Sequence, residues 1–147
     1  MTHHLASFNL ARSKGPKDDP IMASFFAQVD RMNALAERMP GFIWRNTDEG
    51  NFSEGLAEDP LILSTLSVWE DVSSLHNYVF NTIHRQMYDR RHEWFEVFDG
   101  PYMVFWNVSE GHKPAMSEGF GKLDHITEFG PTAAAFDWAW LESTKVR

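Results

Sequence analysis

Cysteine is absent from the 147 residues. With it go disulfides, thiolate nucleophiles and Cys-ligated zinc or iron–sulfur centres. Positive charge is scarce as well: 13 Lys and Arg stand against 21 Asp and Glu, a formal net charge of −8. Such a field gives no attraction to nucleic acid or to an anionic membrane. No run approaches the roughly 20 apolar residues of a membrane span, and no leader-like segment opens the chain. A cytoplasmic protein with neither a membrane nor a nucleic-acid partner is therefore expected. Two common catalytic frameworks are missing too, the Gly-rich phosphate loop and the Gly-x-Ser-x-Gly elbow. Seven His invite a metal reading, but only His92 and Glu96 stand four apart with ligand chemistry, among Arg90, Arg91 and Glu93. That grouping reads as a solvated charged face, so no metal site is expected. Asn51 and Asn107 head glycosylation patterns, without any accompanying sign of secretion.

What the chain has in quantity is aromatic surface: twelve Phe, six Trp and three Tyr. A core of this size needs fewer, and large rings also line pockets and interfaces. Length and a 43% hydrophobic content point to one domain over residues 1–147. Its core is expected over about 4–130, with a C-terminal tail at 131–147.

The pattern predicts a first strand over His4–Leu10, where Ala6, Phe8 and Leu10 share one face. Asn9 is out of place in a strand; it is either a strand-end turn former or an amide directed into a pocket. After a Gly-Pro loop at 12–17, Asp19-Pro20 supplies an N-cap and a first-turn proline. Apolar residues then recur at helical spacing from Met22 to Met39, and Pro40-Gly41 ends the helix. Asn33 falls at the edge of that stripe, either solvated or forming a polar pocket wall. A short strand at 42–47 and a polar connection at 48–59 lead to Leu61–Trp69, apolar on both parities apart from Ser and Thr. A strand buried on both faces implies a sheet covered twice, and a second subunit is the economical second cover.

Residues 67–114 form the stretch around which the chain is organised. Asp71 caps a helix that places Val72, Leu75, Tyr78 and Val79 inward, and Asn81-Thr82 predicts a break. Beyond it His84, Tyr88, Arg91 and Phe95 step by four, three and four, which sets them on one helical face. The helix start favours a neutral His84 imidazole, the form that acts as a base. Tyr88 and Arg91 would complete a catalytic group, and a hydrogen-bonded core edge is the structural alternative. Asp99-Gly100-Pro101 then turns the chain into a strand at 102–108, and a helix runs to Phe129, closed by Gly130-Pro131. The remaining tail, aromatic and without helical patterning, is expected to cover a surface groove.

The element order is that of a ferredoxin-like βαββαβ unit with an added C-terminal helix and tail, an α+β fold. The words HLASFNLAR, DDPIMASFFAQVDRMNALAERMPGFIWR, LSVWEDVSSLHNYVF, RRHEWF and GHKP together resemble a bacterial family of uncharacterised small domains, across nearly the whole chain. That family looks like part of the dimeric α/β-barrel superfamily, which includes antibiotic-biosynthesis monooxygenases, isomerases, haem degraders and non-catalytic relatives. The resemblance implies a homodimer whose two sheets pack face to face. Fold kinship alone leaves the reaction open. Haem degraders of the superfamily carry an Asn on strand one, a Trp on the helix after the third strand and a His later on that helix. Asn9 and His84 match the outer two positions, but the middle one falls among Tyr78, Val79 and Phe80. The resulting expectation is a dimer binding a small apolar ligand, aromatic or polycyclic, as a cofactor-independent monooxygenase or isomerase. His84 would take a proton, Arg91 would steady the resulting anion, and Asn9, Asn33, Trp44, Trp69 and Trp106 would line the site. A non-catalytic binding or structural dimer is the alternative, and haem held by His84 the third reading.

Overall fold

The computed structural model describes residues 3–16, 18–47, 61–97 and 100–144. The polar connection at 48–59 therefore lies outside the described residues, as do part of the turn at 99–101 and the last three residues. Among the described residues twelve elements run in order: β1 (His3–Ser13), a 3-10 turn (Pro20–Met22), α1 (Ala23–Arg38), β2 (Phe42–Arg45), β3 (Ile62–Trp69), α2 (Val72–Asn81), α3 (His84–Asp89), α4 (Arg91–Trp94), β4 (Phe95–Glu96), β5 (Met103–Ser109), α5 (Met116–Phe129) and α6 (Trp138–Thr144). The expected caps are in place. Asp19 accepts from the Ile21 N–H at 2.9 Å and Asp71 from the Ser74 N–H at 2.8 Å, each answering a donor the helix itself leaves free.

The sheet is antiparallel throughout and built on β1. One edge of β1 pairs with β3 from Leu5↔Trp69 to Arg12↔Ile62. Its other edge pairs first with β5, His3↔Ser109 to Asn9↔Met103, and then with the short β4. β2 joins the far side of β3 with a register shift between Phe42 and Trp44. The first strand is longer than the alternation suggested, because β4 gives Arg12 and Ser13 partners.

Side chains alternate between two differently covered faces. Of the even-numbered residues of β1 and β5, Ala6, Phe8, Val104 and Trp106 are buried with Leu66 and Val68 of β3 against Met116, Leu123 and Ile126 of α5. The approach is close: a Cβ on Gly119 would lie 2.5 Å from the Phe8 ring. The second cover of the doubly apolar strand is thus α5 of the same chain. Burial of both faces does not require the second subunit that the sequence suggested.

The odd-numbered face packs under α1, α2 and the C-terminal segment. Leu5, Trp69 and Phe105 meet Ala36, Leu75, Tyr78 and Phe136 in one cluster. Leu63 joins Met22, Phe25 and Trp94 in another. The C-terminal segment is part of this core and does not merely overlie it. Phe136 exchanges backbone hydrogen bonds with Phe105 at 2.8 and 2.9 Å, and α6 is helical where no helix was expected. Its Trp138 packs edge-on to Phe105, centroids 4.6 Å apart.

The run from 71 to 95 differs most from expectation. It breaks at Thr82, whose hydroxyl donates to the Tyr78 carbonyl and accepts from the His84 N–H. It breaks again at Arg90, and by Phe95 the backbone is extended, φ −123° and ψ 143°. Phe95 is therefore a strand residue opposite Ser13, and the one continuous helical face from His84 to Phe95 does not exist. His92 and Glu96 are not a helical pair either, since Glu96 bonds Arg12 across the sheet.

Candidate functional site

Between the two odd-face clusters the sheet is not fully covered. A cavity of about 700 Å³ opens there, floored by β1 and β3 and roofed by α1, α2 and α3. That volume suits a drug-sized molecule. The floor is polar in the middle: Ser7 and Asn9 of β1 lie beside Ser67 and Thr65 of β3. Thr65 Oγ1 donates to Asn9 Oδ1 at 2.6 Å, so Asn9 is a bonded floor residue and not a turn former. Ser67 Oγ accepts from Trp69 Nε1 at 3.0 Å. Trp69 in turn stacks on Tyr78, centroids 5.3 Å apart.

His84, Tyr88 and Arg91 all reach this cavity, brought there by chain breaks and not by a shared helical face. His84 Nδ1 lies 3.2 Å from the Val79 carbonyl. A carbonyl only accepts, so the proton sits on Nδ1 and Nε2 is left as a bare acceptor. The ring leans on Tyr78 at 4.8 Å. Burial pushes the His84 pKa below its usual value, and the bond to Val79 opposes this less strongly. The imidazole is held neutral by desolvation, where the sequence pointed to the helix start.

Arg91 extends over the Tyr88 ring, 4.1 Å from its centroid, and donates to the Tyr88 carbonyl at 2.8 Å. It has no carboxylate partner among the described residues, while Arg85 pairs with Asp89 and Arg90 with Glu93. Tyr102 stands close to this pair. Its hydroxyl pKa is raised by burial and by Tyr88, with Arg91 pulling the other way.

At the β2 edge stands Arg45, whose Nε donates to Glu37 at 2.7 Å. Its Nη1 is buried without a hydrogen-bond partner, and so is Nδ2 of Asn33 on α1. Both residues line the cavity. Burial pushes the Tyr78 hydroxyl pKa up, with Arg45 opposing; that hydroxyl donates to the Met32 carbonyl at 3.0 Å.

Two of the three expected Trp walls lie elsewhere. Trp106 faces α5, where its Nε1 donates to Glu118 at 2.8 Å, and Trp44 packs against the same core cluster. Strand parity is the reason: Trp106 stands opposite Ala6 and Trp44 opposite Val68, both on the even face. Trp69 and Trp138 are the tryptophans that line the cavity. Sequence reasoning passed over Arg45, Ser7, Thr65, Ser67, Tyr102 and Trp138. A signal for the floor was present, since small polar residues stand opposite one another at odd positions of the two strands, Ser7 with Ser67 and Asn9 with Thr65. Nothing local marked Arg45 or Trp138, which reach the cavity through tertiary pairing.

For haem, the fit is mixed. His84 has the bare Nε2 and carbonyl-bonded Nδ1 of an axial ligand, but no tryptophan stands at positions 78–80. Among the described residues no three His, Asp or Glu side chains group as a metal site. No helix of the described residues is long and apolar enough to cross a membrane.

The family described as Domain of unknown function (DUF3291) matches residues 4–146. No curated protein matches the chain. Solved structures do. A protein of unknown function from Nitrosomonas europaea shares 16% identity at a TM-score of 0.52, covering 78% of this chain and 97% of its own. A protein from Shewanella oneidensis shares 12% at 0.52, covering 74% and 93%. A conserved protein from Methanosarcina mazei Go1 shares 14% at 0.50, covering 71% and 90%. At these identities the likeness concerns the fold alone.

Proposed function

We propose that this chain, which belongs to the DUF3291 family of domains of unknown function, binds a small, flat, largely apolar molecule in its cavity and removes a proton from it with His84. One observation carries the reading: His84 lines the cavity with Nδ1 bonded to the Val79 carbonyl, which leaves Nε2 as the ring's acceptor nitrogen. Tyr88, Phe95, Tyr102 and Trp138, all partly exposed on the lining, offer aromatic surface for a flat body. The step is a proton transfer: a C–H or O–H of the ligand breaks, the proton goes to Nε2, and an enolate or phenolate remains. Arg91, which has no carboxylate partner among the described residues, balances that charge. An isomerase would return the proton to a second carbon, and a cofactor-independent oxygenase would let the anion meet dioxygen.

The strand order β2-β3-β1-β5 supports the ferredoxin-like reading. Because α5 occupies the even face, the site is proposed to be complete within one chain, whatever assembly that chain enters. A haem would bind through His84 Nε2. A Soret band that arises on titration and is lost in His84→Ala decides for haem and against this proposal.

The proposal is tested with 2-tetralone, an enolisable aryl-fused ketone. Its binding is followed by ligand-observed NMR and its deuterium uptake from solvent by mass spectrometry. Binding with accelerated exchange is expected, and His84→Ala should slow exchange by roughly 10²–10⁴-fold. Binding without exchange would leave a non-catalytic ligand-binding protein.

A further inference from the structure

Across the cavity from Tyr102 and Arg91, the donors at the β2 edge lack acceptors. Arg45 Nη1 and Asn33 Nδ2 are shut away from water and bond nothing. Buried N–H groups are almost always paired, so two such groups on one cavity call for an explanation. The surroundings place them together. Arg45 Nε is anchored on Glu37, which lies one helical turn after Asn33 on α1 and so on the same face. The backbone of Arg45 stands opposite Ser67, the floor residue next to Ser7. Nearby acceptors are already in use: the Met32 carbonyl takes the Tyr78 hydroxyl, and the Ser67 hydroxyl takes Trp69.

We infer that Asn33 and Arg45 form a subsite for an acceptor oxygen of the ligand, a carbonyl or a carboxylate. The inference rests on the ligand-binding reading and deepens it. Glu37 holds the guanidinium through Nε and leaves Nη1 without a partner, so the subsite offers a donor on an anchored group. β2 and β5 are the two edges of the sheet, three strand spacings apart, on the order of 14 Å. Arg45 stands at one edge and Tyr102 leads into the other. The ligand is therefore elongated, of two or three fused rings, with an oxygen at the Arg45 end.

Three probes of one shape test this by fluorescence titration: naphthalene, 2-naphthoate and 2-acetylnaphthalene. For the unaltered protein, one of the oxygenated probes should bind at least about tenfold more tightly than naphthalene. The better of the two identifies the group as carboxylate or carbonyl. In Asn33→Leu and in Arg45→Met that ratio should fall toward one, and Arg45→Lys should recover only part of it. A ratio near one in the unaltered protein, or a ratio unchanged in both variants, overturns the subsite while the cavity reading stands. If naphthalene also fails to bind, the cavity reading fails and the subsite with it. Thermal melting separates a structural role. Asn33→Leu should melt no lower than the parent, because the lost amide N–H bonds nothing, and a fall of more than about 5 °C overturns the proposal. Should Arg45→Met not fold, Asn33→Leu decides alone.

Discussion

His84 sets a pH window for stability. Its pKa in the folded chain lies below the ordinary 6.5 because burial disfavours the charged ring. Above that value both folded and unfolded chains hold it neutral, and its contribution to stability is fully present. As pH falls through 6.5 the unfolded chain takes up the proton first, so stability declines toward the folded pKa. Urea unfolding of the parent and of His84→Gln between pH 7.5 and 5 should show the parent losing stability faster. The difference in slope should be no more than about 1.4 kcal/mol per pH unit. Equal slopes would mean that the ring is not desolvated as described.

At the scale of the element, α5 carries a contrast between two glycines. A Cβ at Gly119 would meet the fully buried Phe8 ring at 2.5 Å, whereas nothing lies within 4 Å of one at Gly121. Gly119→Ala should therefore cost about 1–3 kcal/mol through overpacking. Gly121→Ala, on an exposed stretch of the same helix, should stabilise by roughly 0.5–1 kcal/mol through propensity alone. Chemical denaturation of the pair checks both signs at once. Elements were also where reading by pattern worked and failed. Asp19-Pro20, Asp71, the 2-residue period of β1 and the apolar run of β3 are local signals, and the corresponding elements form. The breaks at Thr82 and Arg90 are different. Thr82 had turn character in the sequence, but the break at Arg90 and the turn of Phe95 into β4 result from pairing with Ser13, 82 residues away. A period that runs evenly through 84, 88, 91 and 95 cannot register such a distant partner.

For the whole molecule, the covering of both sheet faces by one chain predicts a fold that does not draw on association. The thermal midpoint should stay constant over a hundredfold range of protein concentration; a midpoint that rises with concentration would show a second copy contributing to the fold. One part of the candidate site was readable because His84, Tyr88 and Arg91 lie close together in sequence and all line the cavity. The width of the site was not, because Arg45 enters from an edge strand and Trp138 from the far end of the described chain.

Trp138 closes that wall, and Phe136 beside it pairs with Phe105. A chain made from its N-terminus has the five described strands in hand just under 30 residues before these two emerge, at a synthesis rate of about 5–20 residues per second. For one to several seconds the sheet can form while β5 keeps an uncovered edge and the cavity lacks a wall. The proposed ligand binding would thus be acquired late in synthesis, when Trp138 completes the cavity wall.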